Sequence, residues 1–492
     1  MSKLKTFLSA KPVFAFLLPV FFVLHGFMEN YNLIPVKDAV ILAFFYIGVE
    51  LILGLLSWPL YRSYRKALLF AFCLLSYQFF YGSIFDLLKK VFPGSIFSRY
   101  SFILPVTLLA FTGLAIVLRK TKRPLLRLVL FLNLLLGIFI LTDCCLLVIK
   151  ATKKSDLPPA LTAFSSCTNC TKPDIYLIIA DGYPGKTELR DLFNYDNNSF
   201  ETELQKRKFH IVDSSRSNYN FTPFSVASMF NMQYLQGIVG SNSNKNDLSV
   251  CYNTLKKSEL LRFLASNGYE FYNYSIFDFN RQPSLAVPTF LPRRTRSITA
   301  QTFTSRLMKD LGYHLVTTFK ISSSIKADRN RDLDNNTKLY SRTMEITGQT
   351  SPSPKFVYTH LALPHYPYYF DSSGNAVSYT MLTDEYIYNK KAFLGYLQYA
   401  NRKYLELIDH ILTASKSPPI IILMSDHGHR ELKEPVDKKY YFMNLNAVLL
   451  PGGDYSGFYR GQTNINQFRI ILNEQFQQHL PLLKDSSSFI TE

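Results

Sequence analysis

Residues 174–182, DIYLIIADG, set six apolar side chains in a row, Ile175–Ala180, and then stop at an Asp-Gly pair. A strand buried on both faces has this pattern, whereas a half-solvated strand alternates. Two similar runs lie further on. KFVYTHLAL (355–363) ends at Pro364, and IIILMS (420–425) ends at Asp426-His427-Gly428. YEFYNYS (269–275) and NLNAVLLPG (444–452) also read as strands. Helical spacing appears at 222–235, 258–268, 384–414 and 464–479, the second closed by Gly268. Strands alternating with helices predict an α/β layered domain with a mostly parallel sheet.

In such sheets ligands bind beyond the carboxyl ends of the strands. Asp181, His365 and Asp426-His427 all fall there, and His360, His365, His427 and His429 are four of the nine histidines. Two carboxylates and a neutral imidazole suit one divalent ion, Zn or Mn. Taken singly, an Asp-Gly pair is more often a turn and a lone His a satisfied surface group. The weight comes from several tips sharing one sheet edge.

NYNFTPFSVASMFNMQYL (218–235) places Thr222-Pro223 before a helical pattern. Threonine is a good N-cap and proline is favoured at the first helical position, so Thr222 reads first as a cap. The same geometry suits a nucleophile. A hydroxyl at a helix N-terminus lies beside free N–H groups, here expected from Phe224 and Ser225, and a metal lowers its pKa.

Upstream the chain is a different material. Residues 1–150 carry 16 Lys/Arg against 5 Asp/Glu, bunched between long apolar runs. Five spans are expected, at about 12–28, 39–61, 67–88, 101–118 and 126–149. Arg62, Arg65 and Lys66, the cluster from Arg119 to Arg127, and the basic N-terminus mark one side as cytoplasmic. Residues 1–150 are thus read as a transmembrane domain, 151–172 as a linker, and 173–492 as an extracytoplasmic domain long enough to bury a full core. Lys89, Lys90 and Arg99 depart mildly from this rule. Glu50 and Asp143 fall inside spans, where a carboxylate is either a functional group or a protonated helix contact. Cys167 and Cys170 form a CxxC that fits a tight disulfide and two free thiols equally. Much of the net charge of +18 sits where membrane loops are expected, and no basic stripe is interleaved with stacking aromatics, which argues against a nucleic-acid binder. The composition likewise excludes a wholly soluble protein, a disordered chain and a small disulfide scaffold.

PDIYLIIADG, NYNFTPFSVASMFN, THLALPHYPY and MSDHGHR, in this order behind five apolar runs, resemble the alkaline phosphatase/sulfatase superfamily. The resemblance is to its membrane-anchored branch of lipoteichoic acid synthases and phosphoethanolamine transferases. It implies an alkaline phosphatase/sulfatase-like catalytic domain behind a five-helix membrane domain. It also implies Asp181, Thr222, Asp426 and His427 as metal ligands, Thr222 as nucleophile, and His365 in contact with the transferred group. Asp181 stands where the named transferases usually have Glu. The formylglycine signature C/S-x-P-x-R of sulfatases is absent, because Thr222-Pro223-Phe224-Ser225 cannot supply it.

The expected protein is a multi-pass enzyme of the cell (inner) membrane. It would move a phosphorus-containing headgroup, phosphoethanolamine or phosphoglycerol, from a phospholipid donor to an envelope glycan or glycolipid acceptor. A covalent threonine intermediate is expected, with His365 or His360 shuttling protons. The alternatives are a membrane-anchored hydrolase of phosphoesters or sulfate esters and, in another class, a non-enzymatic scaffold.

Overall fold

The computed structural model describes residues 2–31, 33–152, 164–165, 167, 170–238, 245–280, 282–286, 291–319, 330–382 and 386–491. Contacts divide the chain into two units: Met1–Lys154 with Pro288–Ser322, and Ser155–Val287 with Ser323–Glu492.

In the first unit α1 (Ser2–Ala10) and α2 (Phe14–Glu29) meet at a bend of 86°. Asn133 fills the break. Its amide donates to the carbonyls of Leu8 and Lys11 and its oxygen accepts from the N–H of Phe14. Then come α3 (Val36–Tyr61), α4 (Tyr64–Val91), α5 (Tyr100–Lys120) and α6 (Leu126–Thr152). These four are long and apolar enough to cross a membrane, and the count reaches five when the bent pair is one span. The first expected span is therefore the one that falls short. At 16 residues α2 is about 24 Å long, less than a hydrocarbon core of about 30 Å. Asp143 pairs with Nδ1 of His25 at 3.2 Å, which favours its reading as a helix contact. Glu50 is 1% exposed and neither carboxylate oxygen has a hydrogen-bond partner.

Within the range 173–492 expected to form the exported domain, Pro288–Ser322 group by contacts with the membrane helices. The cause is local packing on α4. The Gly82 N–H donates to the Gln301 carbonyl at 2.8 Å, Arg306 pairs with Asp86 at 2.6 Å, and Phe303 packs tilted on Tyr77 and edge-on to Tyr81. Ile298 is buried and sits where a Cβ on Gly26 would stand.

The second unit holds a six-stranded sheet: β1 (Ile175–Ala180), β2 (His210–Ile211), β3 (Glu270–Tyr274), β4 (Lys355–Leu361), β5 (Ile420–Met424) and β6 (Asn446–Leu449). The order is β2-β6-β5-β1-β4-β3. The four strands β5-β1-β4-β3 are parallel, and β6 and β2 extend the edge in antiparallel pairs. All of β1, β4 and β5 are buried, as the unbroken apolar runs of β1 and β5 require, while β4 also buries Lys355, Thr359 and His360. Alternate residues feed two cores. Ile175, Leu177 and Ile179 join the helices Thr222–Asn231 and Asn464–Phe476 on one face, and Tyr176, Ile178 and Ala180 join the long helix Lys390–Ala414 on the other. Most of the expected linker, 151–172, lies outside the described residues; Cys167 and Cys170 are described and form a disulfide.

Candidate active site

Three neighbouring parallel strands, β4, β1 and β5, end at one edge of the sheet. The tip of β1 delivers Asp181, that of β5 delivers Asp426-His427, and β4 delivers His360 with His365 just beyond. The convergence is direct. One ligand-type atom each from Asp181, Asp426 and His427 lies within 4.8 Å of the others, and all three residues are buried. Nε2 of His427 is 3.4 Å from Asp426 Oδ2 and 3.7 Å from Asp181 Oδ1.

Hydrogen bonding leaves these three atoms facing one another. Nδ1 of His427 donates to the Gly428 carbonyl at 2.7 Å, which makes Nε2 the bare nitrogen. Oδ1 of Asp426 accepts the Gly182 N–H at 3.1 Å, while its Oδ2 has no partner. Oδ2 of Asp181 faces Nε2 of His360 at 3.3 Å, while its Oδ1 has no partner. Two buried, unsatisfied carboxylate oxygens beside an imidazole lone pair are costly without a cation and match the donor set of Zn or Mn. The residues present fit a divalent metal ion.

Thr222 stands at the mouth. The helix Thr222–Asn231 starts one residue earlier than a threonine cap requires. Phe221 is the N-cap residue, Thr222 opens the first turn, and no side chain caps it. The hydroxyl is thus released from capping and donates to Nε2 of His427 at 3.0 Å. The N–H groups of Phe224 and Ser225, expected to face an anion, instead bond the Phe221 carbonyl at 3.1 and 3.0 Å. A tight first turn consumes them.

His365 lies near the same group, 28% exposed. A Cβ on Gly182, whose φ is +65°, would be 3.7 Å from both His365 and His427. Nδ1 of His365 donates to the Tyr366 carbonyl at 2.6 Å and Nε2 is 3.4 Å from Glu431. Burial alone would lower the His365 pKa, but Glu431 and Asp181 raise it overall. Burial opposes ionisation of Glu431, yet His365, His429 and Arg430 bring it down to about 2. Asp181 follows the same pattern, with burial outweighed by the His360 hydrogen bond and the fields of His365 and His427.

Several supporting residues escape a sequence reading. Asn444 and Asn464 donate to the Ser425 carbonyl, and the Ser225 hydroxyl donates to the Asp426 carbonyl at 2.6 Å, so the loop carrying both ligands is pinned from below. Isolated Asn and Ser residues carry no sequence signal of such a role. Glu431 had one, a carboxylate just past the DHG triplet.

Structural neighbours include phosphoethanolamine transferases and sulfatases. The C-terminal periplasmic domain of EcEptC from Escherichia coli, solved in complex with Zn, is 13% identical, with 67% of this chain and 92% of that chain covered and a TM-score of 0.41. The integral membrane protein lipooligosaccharide phosphoethanolamine transferase A (EptA) from Neisseria meningitidis is 11% identical, with 93% and 95% covered and a TM-score of 0.41. The phosphonate monoester hydrolase of Agrobacterium radiobacter is 13% identical, with 64% and 76% covered and a TM-score of 0.35. No family model and no curated protein matches the sequence.

Proposed function

We propose that this chain is a membrane-anchored, metal-dependent transferase. It moves a phosphorus-containing headgroup, phosphoethanolamine or phosphoglycerol, from a phospholipid to an envelope glycan or glycolipid. The observation that carries the reading is the Thr222 hydroxyl, 3.0 Å from His427 at the mouth of a buried Asp181/Asp426/His427 group with two unpartnered oxygens. Four or five apolar helices on the same chain support a lipid donor.

Asp181, Asp426, His427 and Thr222 would hold one divalent ion, Zn or Mn. The bound ion supplies Lewis acidity, which lowers the pKa of the threonine hydroxyl and offsets charge on phosphorus oxygens. The Thr222 hydroxyl gives up its proton and its oxygen bonds the phosphorus of the donor. The bond to the diacylglycerol oxygen breaks, and that oxygen leaves with a proton. The oxygen of an acceptor hydroxyl then bonds the phosphorus, the bond from phosphorus to the Thr222 oxygen breaks, and the proton given up by the acceptor restores the threonine hydroxyl. His365, at the rim, contacts the transferred group. The asparagines beneath the 425–427 loop keep both ligands in place, so orientation is set before substrate arrives. The catalytic domain faces away from the cytoplasm, in a multi-pass protein of the inner membrane.

A hydrolase would pass the same group to water. Incubation of the detergent-solubilised chain with phosphatidylethanolamine or phosphatidylglycerol, with and without an envelope glycolipid extract, separates the two. The expected result is diacylglycerol release that rises with acceptor, together with a glycolipid heavier by one headgroup. Free headgroup phosphate with no modified acceptor would establish the hydrolase instead. No turnover of either lipid would sink both readings.

A further inference from the structure

Asp181 has two carboxylate oxygens with different fates, and the sheet explains why. β1 and β4 are parallel neighbours, with Ile179 opposite His360. Side chains alternate along a strand, so Tyr358 and His360 on β4 share a face, and Asp181, two residues past Ile179, lies on that face as well. The three groups form a chain. The Tyr358 hydroxyl is 2.8 Å from Nδ1 of His360, and Nε2 of His360 is 3.3 Å from Oδ2 of Asp181. Tyr358 is 0% and His360 2% exposed, so water does not compete. Phe230 and Phe279 pack on the Tyr358 ring at 4.8 and 5.7 Å, and Phe277 packs on His360 at 5.7 Å.

The chemistry of the chain fixes its direction. A carboxylate only accepts, so Nε2 of His360 carries the hydrogen that faces Asp181. In the neutral ring Nδ1 then accepts, and the Tyr358 hydroxyl donates to it. Every atom is satisfied in that arrangement except Oδ1 of Asp181, which stays 3.7 Å from His427 Nε2 without a partner. We infer that Tyr358 and His360 are positioning residues. Together they clamp one oxygen of Asp181 so that the other is presented to a divalent cation. This rests on the reading of Asp181, Asp426 and His427 as ligands. It also removes His360 from the proton-shuttle role expected from sequence, since both ring nitrogens are engaged.

The test is metal affinity rather than turnover. Zn²⁺ binding to the full-length chain in detergent is measured by competition with a chromophoric chelator, and the melting temperature of the metal-free protein is recorded alongside. Tyr358→Phe keeps the ring and removes one hydroxyl. His360→Leu removes the clamp, and His360→Gln restores an N–H near the Nε2 position. Loss of such an outer partner weakens metal binding about 10- to 100-fold. Tyr358→Phe is expected at the lower end and His360→Leu at the upper. His360→Gln is expected to recover most of the loss. Wild-type affinity in Tyr358→Phe together with no rescue by His360→Gln over His360→Leu overturns the clamp. If His360→Leu does not fold, Tyr358→Phe and His360→Gln decide it: weakened binding in the first with near-native binding in the second supports the clamp, and any other pairing overturns it. Wild-type protein that takes up no Zn²⁺ overturns the metal reading itself, a result separate from variants that bind as wild type does.

Discussion

Replacing Thr222 by alanine should separate chemistry from stability, because the structure makes the two effects very unequal. The residue does not cap its helix, and its hydroxyl makes one hydrogen bond, to His427 at 3.0 Å, from a half-buried position. Losing a bond of that kind costs about 1 kcal/mol. In a domain of this size that lowers the melting temperature by about 2 °C. Removing a nucleophile is far more severe. Turnover should fall about 10,000-fold or more, equivalent to about 5.5 kcal/mol on the barrier. Thr222→Ser keeps the oxygen with a freer rotamer and should retain partial activity. The assay is diacylglycerol release from a phospholipid in micelles, with melting curves on the same preparations. A donor-only incubation, quenched in acid and digested, should add a phospho-headgroup mass to the wild-type peptide containing Thr222. A folded Thr222→Ala protein working within tenfold of wild type would refute the mechanism, however the metal behaves.

Other expectations follow from neighbouring features. Asp426→Ala should lose the divalent ion that wild type holds at about one per chain; elemental analysis finding equal metal in both would mean the ligands are misassigned. Glu188 is fully buried and burial pushes its carboxyl well above the ordinary value. The folded state therefore keeps a proton the unfolded chain releases, and stability falls as pH rises from the unfolded value of about 4.5 toward the raised one. Glu188→Gln should accordingly melt higher than wild type at pH 8 and show no difference at pH 4; the same gap at both values would remove the cause. A reporter active only in the exported compartment should be active when fused after Glu492, and a cytoplasmic signal there would mean that α1 and α2 do not together make one span.

The parts of this architecture that a sequence reader can see are those with strong local chemistry. The strands β1 and β5 announce themselves because their six and five buried positions demand an unbroken apolar run, and β4 is a buried run of seven that also carries Lys355, Thr359 and His360. Their stops, the carboxylates Asp181 and Asp426 and the ring of Pro364, mark the functional edge. Strand β2 is two half-buried residues long, too short for any period to register. The antiparallel direction of β6 depends on pairing across the sheet, which no local pattern records. Threonine caps and first-turn threonines share a composition, so the sequence places Thr222 one position too early, whereas the backbone makes Phe221 the N-cap and leaves the Thr222 hydroxyl to His427. That His360 serves Asp181 depends on strand register, a long-range fact.

The return of residues 291–310 to the membrane helices has a practical consequence for anyone cutting this protein. The chain leaves the bundle after α6, comes back, and leaves again, so the two units are joined at more than one point along the sequence. A fragment begun at residue 173 would carry this segment without its seat. Ile298 would lose Gly26, Phe303 would lose Tyr77 and Tyr81, and Arg306 would lose Asp86. Such a fragment would present a sticky apolar strip to water and invite aggregation. An excision that follows the contacts removes Pro288–Ser322 together with the membrane helices rather than cutting once at residue 173.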